Sequence, residues 1–105
     1  MDRNGYNPSI LATEDGVCML CGLCTDTARH EVFYGTGERK LSKRYGLWVN
    51  LCPRCHSKVH EDKQGEWNKT LEALAENAFI RHGHTKEEFD RIFRQGFVKH
   101  WEIKE

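Results

Sequence analysis

Leu51-Cys52-Pro53-Arg54-Cys55-His56-Ser57-Lys58-Val59-His60 carries two metal half-sites in ten residues. Cys52 and Cys55 have the C-x2-C spacing of a zinc knuckle. Pro53 suits the first turn of a helix, where its missing N–H would be unpaired anyway. On that helix His56 and His60 stand one turn apart on one face, so both imidazoles can reach a single ion. Each half-site has to be completed from elsewhere in the chain.

The first completion lies in Val17-Cys18-Met19-Leu20-Cys21-Gly22. Cys18 and Cys21 repeat the C-x2-C spacing, and Gly22 permits the tight backbone turn behind them. Cys24 makes a rival pair with Cys21; Gly22, and Thr25 after Cys24, favour Cys18/Cys21 and leave Cys24 as a free thiol or a packing residue. Two matching pairs separated by 30 residues are a poor fit to four merely buried thiols. They predict a closed structural Zn2+ site of Cys18, Cys21, Cys52 and Cys55, one that contributes to folding. A knuckle, a hairpin and a second knuckle at a helix start have the layout of a treble clef. For the histidine pair the third candidate is His30.

Arg29 to Gly35 reads as a strand, β-branched and aromatic residues ended by glycine. Leu47 to Leu51 reads as a second, with Leu47, Val49 and Leu51 on one face and Trp48 and Asn50 on the other. The two pair antiparallel. Between them lies a glycine-bounded basic connection with one helical turn over Leu41–Tyr45. A further short strand is expected at Ile10-Leu11-Ala12. After the break at Lys63-Gln64-Gly65, Glu66 to His82 is an amphipathic helix with Leu71, Leu74, Ala75, Ala78 and Phe79 on its apolar face. Thr85-Lys86-Glu87-Glu88 is a capping box opening a last helix, with Phe89, Ile92 and Phe93 inward and Gly96 ending it. His82 and His84 flank Gly83 at a helix end, where an imidazolium suits the dipole. The tail keeps Trp101 and Ile103 and is expected to dock. The expected fold is thus small α+β: one domain over 1–105, a metal-bearing core over 17–62, and two C-terminal helices over 66–96 as a buttress.

A chain of 105 residues with 38% hydrophobic and 30% charged residues has a thin core, and metal is a standard staple for such a chain. Five cysteines and no secretory pattern favour zinc over disulfides and a cytoplasmic location. No apolar run is long enough to span a membrane. The formal net charge is zero, yet residues 29–60 hold Arg29, Arg39, Lys40, Lys43, Arg44, Arg54 and Lys58 against only Glu31 and Glu38. Such a basic segment is either a solvated loop or the electrostatic footprint of a nucleic acid. Tyr45 and Trp48 beside it fit core packing better than base stacking.

Over residues 17–62 these pieces resemble the HNH endonuclease family, most closely its small phage and prophage members. The resemblance rests on His30-Glu31-Val32-Phe33-Tyr34-Gly35, Arg39-Lys40-Leu41-Ser42, Tyr45-Gly46-Leu47-Trp48-Val49 and Leu51-Cys52-Pro53. It implies a ββα-metal hairpin-helix core around one catalytic divalent ion (Mg2+, Mn2+, Ni2+ or Zn2+), flanked by a four-cysteine zinc, and hydrolysis of a DNA phosphodiester. It further implies His56 and His60 as ligands of the catalytic ion, with Arg39, Lys40, Lys43 and Arg44 on DNA phosphates. Two registers are open for the first motif. Either His30 is the general base, with Arg29 in the ligand position, or His30 is a ligand and Glu31 the base; histidine's better-matched pKa favours the first. Asn50 lies closer to Cys52 than the family's asparagine does. The expected function is a metal-dependent DNA endonuclease, phage-related, acting in the host cytoplasm with phage or host partner proteins for targeting. The alternative is a non-catalytic treble-clef module that binds nucleic acid or protein.

Overall fold

A computed structural model describes residues 5–34, 37–62 and 65–94. The expected strand end at Gly35, the break at Lys63-Gln64, the helix end at Gly96 and the docking tail lie outside the described residues. The described elements run β1 (Ala28–Glu31), α1 (Glu38–Tyr45), β2 (Trp48–Leu51), α2 (Pro53–Glu61), α3 (Glu66–Arg81) and α4 (Lys86–Phe89), which continues as a π-helical turn (Asp90–Arg94). The fold is small α+β. No helix among the described residues is long and apolar enough to cross a membrane.

The two strands pair antiparallel, Ala28 with Leu51, Arg29 with Asn50, His30 with Val49 and Glu31 with Trp48. Alternation puts His30 and Val49 on one face and Arg29, Glu31, Trp48 and Asn50 on the other. β1 stops short of the expected Phe33 and Tyr34 because Ser42 of α1 takes over the ladder. Its buried hydroxyl donates to the Phe33 carbonyl (2.8 Å) and accepts from the Phe33 N–H (3.0 Å). α1 is eight residues long rather than one turn. Glu38 in its first turn and Lys43 and Arg44 in its last complement the helix dipole.

No strand forms at Ile10-Leu11-Ala12. That segment instead hydrogen-bonds irregularly over the α1–β2 junction. The Ile10 N–H donates to Gly46 O (2.9 Å), the Ser9 hydroxyl to Trp48 O (2.7 Å) and the Trp48 indole N–H to Asn7 O (2.8 Å). Gly46 is required here. Its φ is +70°, and a Cβ would collide with the Pro8 carbonyl.

α3 buries Leu71, Ala75, Ala78 and Phe79 as expected, but Leu74 is 38% exposed. Both halves of the capping box form at Thr85 and Glu88. Phe89 and Phe93 close on Phe79 and Phe33 in one aromatic cluster, with ring centroids 4.8 to 5.8 Å apart. Phe79 is fully buried at its centre. Phe79→Ala is expected to lower stability by about 3–5 kcal/mol in urea denaturation. A loss under about 1 kcal/mol would mean this cluster is not the core.

Candidate metal centres

One sulfur from each of Cys18, Cys21, Cys52 and Cys55 lies within 4.8 Å of all the others, so the four can hold a structural metal ion. The two knuckles are built alike. The Cys21 N–H points at Cys18 Sγ and the Cys55 N–H at Cys52 Sγ, each at 3.5 Å. Gly22 takes φ +76° behind the first knuckle and donates to Cys18 O (2.8 Å). The first knuckle is pinned to β2 by Met19 N–H to Asn50 O (2.8 Å), and the second follows directly from β2, with Cys52 capping α2 and Pro53 beginning it. Cys24 is exposed, bridges Val17 and stands outside the cluster.

The crowded thiols divide. For Cys18 burial opposes ionisation, but N–H groups at Cys52, Cys21 and Leu20 outweigh it and lower the pKa to about 6. Burial and the other three sulfurs push Cys55 up to about 12. A thiol cluster in which Cys18 ionises readily and Cys55 resists is the kind of donor set a divalent cation relieves. Arg54 and Lys58 line a cavity of about 220 Å³ beside Cys21, Cys52 and Cys55. Were a divalent ion bound by four thiolates, two cations there would offset the site's two net negative charges. They occupy the face of α2 opposite His56 and His60.

On that opposite face the strands present His30. One ring nitrogen each from His30, His56 and His60 lies within 4.8 Å of the others. His60 Nε2 and His56 Nε2 are 3.0 Å apart, and the His30 ring centroid is 5.3 Å from each of theirs. His30 is 1% exposed, and its Nε2 is the one buried side-chain nitrogen or oxygen among the described residues with no hydrogen-bond partner. An orphaned buried imidazole nitrogen is unfavourable unless a cation or donor meets it. Burial, then the neighbouring His56, His60 and Arg39, lowers the His30 pKa to about 3. Burial, then His60, also lowers His56, while Glu31 pulls it upward. Both are held neutral, the form that binds metal.

The other expected site residues separate. Glu31 is buried at the end of β1, with Arg39 Nη1 3.9 Å from its carboxylate. Arg39, Lys40, Lys43 and Arg44 all lie on α1; Lys43 rests over the Tyr6 ring (4.8 Å), which Arg29 also covers (4.5 Å). Asn50 does not join the histidines. It is buried on the far face of β2, where its N–H donates to Thr13 Oγ1 (2.8 Å) and its side-chain amide to Asp15 Oδ1 (3.3 Å). Trp48 is buried, and Tyr45 packs on Phe79 and Phe93. His84 stacks on Phe79 at 4.0 Å and contacts Glu88. Sequence reasoning passed over Tyr34, whose ring lies 5.3 Å from that of His30 and 5.1 Å from that of His60.

Compared with family models, with characterised proteins and with solved structures, the chain matches none. The chemistry of the two clusters is therefore the guide to function.

Proposed function

We propose that the chain is a metal-dependent DNA endonuclease of HNH type. In this reading a treble-clef zinc held by Cys18, Cys21, Cys52 and Cys55 supports a ββα-metal site of His30, His56 and His60. The observation that carries it is the convergence of three imidazoles on one point, with His30 Nε2 otherwise unpartnered.

The same observation favours His30 as ligand over His30 as base. A pKa near 3 makes it a poor proton acceptor at neutral pH. Its strand neighbour Glu31 then serves as general base. Glu31 ends β1, and its carboxylate lies close enough to the histidines to act electrostatically on His56. Glu31 takes a proton from water as the water oxygen bonds to phosphorus; the P–O3′ bond breaks, and the departing 3′ oxygen takes a proton from solvent. A divalent ion at the histidines supplies stabilisation of the charge growing on the phosphate and the 3′ oxygen. Arg39, Lys40, Lys43 and Arg44 contact flanking phosphates, which positions DNA without reading its sequence. Three imidazoles with no carboxylate suit Ni2+ or Zn2+ better than Mg2+. The phage-related setting, the host cytoplasm and targeting partner proteins belong to this proposal.

Incubation of the zinc-loaded chain with supercoiled plasmid and each of Mg2+, Mn2+, Ni2+ and Zn2+ tests it. Relaxed or linear product is expected, most with Ni2+ or Zn2+, and Glu31→Gln should slow it by about 10²–10⁴-fold. No cleavage with any of the four ions sinks the enzyme reading. One observation favours the alternative, a non-catalytic zinc module that binds nucleic acid or protein: the Glu31 side chain is only 11% exposed and is paired with Arg39. That module would retain plasmid without cutting it.

A further inference from the structure

Asn68 is a polar residue in an apolar slot. It lies in α3, one turn before Leu71, and is 1% exposed. Both of its amide N–H bonds go to the end of the helix that carries His56 and His60. Its amide nitrogen donates to Val59 O (2.7 Å) and to Asp62 O (2.9 Å), carbonyls on either side of His60 at the C-terminal end of α2. Carbonyls in the last turn of a helix have no partner within the helix, so these two bonds set where that turn ends and how it is held. The Tyr34 hydroxyl points to the same place, 3.3 Å from Val59 O and 3.4 Å from Asn68 Oδ1. The ring of Tyr34 lies against both His30 and His60.

Core packing alone does not require this arrangement, since a leucine at position 68 would continue the Leu71, Ala75, Ala78, Phe79 face. A buried amide with both N–H bonds directed at one helix end specifies position. We propose that Asn68 is a positioning residue for the three-histidine centre, holding the last turn of α2 so that His60 meets His30 and His56, with Tyr34 as its link to β1. The inference rests on the reading of His30, His56 and His60 as one metal site. It makes α3 part of that site's support rather than a cover for the core.

Residues that orient metal ligands are worth about 10–100-fold in metal affinity. The test is Co2+ titration of the full chain with zinc already at the cysteines, followed by calorimetry and by the visible absorption of the bound ion. Asn68→Leu is expected to weaken Co2+ binding by about 10-fold or more and to alter the absorption band. Tyr34→Phe, which keeps the ring and loses the hydroxyl, should show a smaller loss in the same direction. Phe79→Leu, in α3 but away from the histidines, should lower the melting temperature and leave Co2+ affinity and spectrum unchanged. Wild-type affinity and spectrum in Asn68→Leu and Tyr34→Phe would overturn the inference, as would an equal loss in Phe79→Leu. If the wild-type chain takes up no Co2+ beyond its zinc, the three-histidine reading itself fails and this inference falls with it.

Discussion

If Cys18, Cys21, Cys52 and Cys55 hold a structural ion, as proposed, its removal is expected to unfold the chain. Residues 5–27 contain only isolated bridges and irregular hydrogen bonds, and the knuckle at Cys18 and Cys21 joins them to β2 and α2. Cys18 and Cys52 are themselves members of the core. Structural zinc contributes about 10–16 kcal/mol of apparent binding energy at neutral pH. A domain of this size has a net stability of only about 5–15 kcal/mol, so little is left once the ion is gone. A strong chelator, or Cys52→Ser, should abolish the cooperative melting transition and most of the helical circular dichroism. Cys24→Ser, at an exposed thiol outside the cluster, should change neither. A chelated chain that melts cooperatively at the untreated temperature would show that the four cysteines are only packing residues.

The second large effect is expected at His30, and its sign is diagnostic. His30→Leu replaces a buried, unpartnered imidazole nitrogen with apolar volume. It should abolish uptake at the histidine site and plasmid cleavage. At the same time it should raise the stability of the zinc-loaded chain by about 1–3 kcal/mol, the usual penalty of an unsatisfied buried group. A histidine retained for structure would behave the opposite way. Acid adds a second signature. The His30 pKa falls from 6.5 to about 3 on folding. Below 6.5 the unfolded chain therefore binds a proton that the folded chain refuses. Stability from this group is fully present above pH 6.5 and falls by roughly 1.4 kcal/mol per pH unit toward pH 3. His30→Leu should remove that slope. Urea denaturation of both proteins across this range measures it, and equal slopes would refute the burial of a neutral His30.

What was legible in the sequence is what spacing encodes. The C-x2-C pairs, the one-turn histidine pair, Pro53 at a helix start and the Thr85 capping box are local patterns with local causes, and each appears in the structure where it was read. What escaped depends on long-range hydrogen bonds. Ser42 sits 9 residues from the Phe33 backbone it satisfies, and that bond, invisible in the strand-like run after His30, ends β1 early. Ile10 and Leu11 look like a strand, but their partners lie at Gly46 and Ser9. Asn50 resembles a site residue by its place before Cys52, yet strand alternation carries it to the face away from His30. Asn68 offered one signal, a polar residue at the helical spacing of an apolar stripe.

In the proposed function the chain holds two separate ions, one on four sulfurs and one on three imidazoles. Native mass spectrometry of the full chain reconstituted with Zn2+ and then Ni2+ tests it most directly. The expected count is two ions per chain, falling to one in His56→Ala with the folded charge-state distribution retained. One ion per chain in the unaltered protein, unchanged by His56→Ala, would contradict the account.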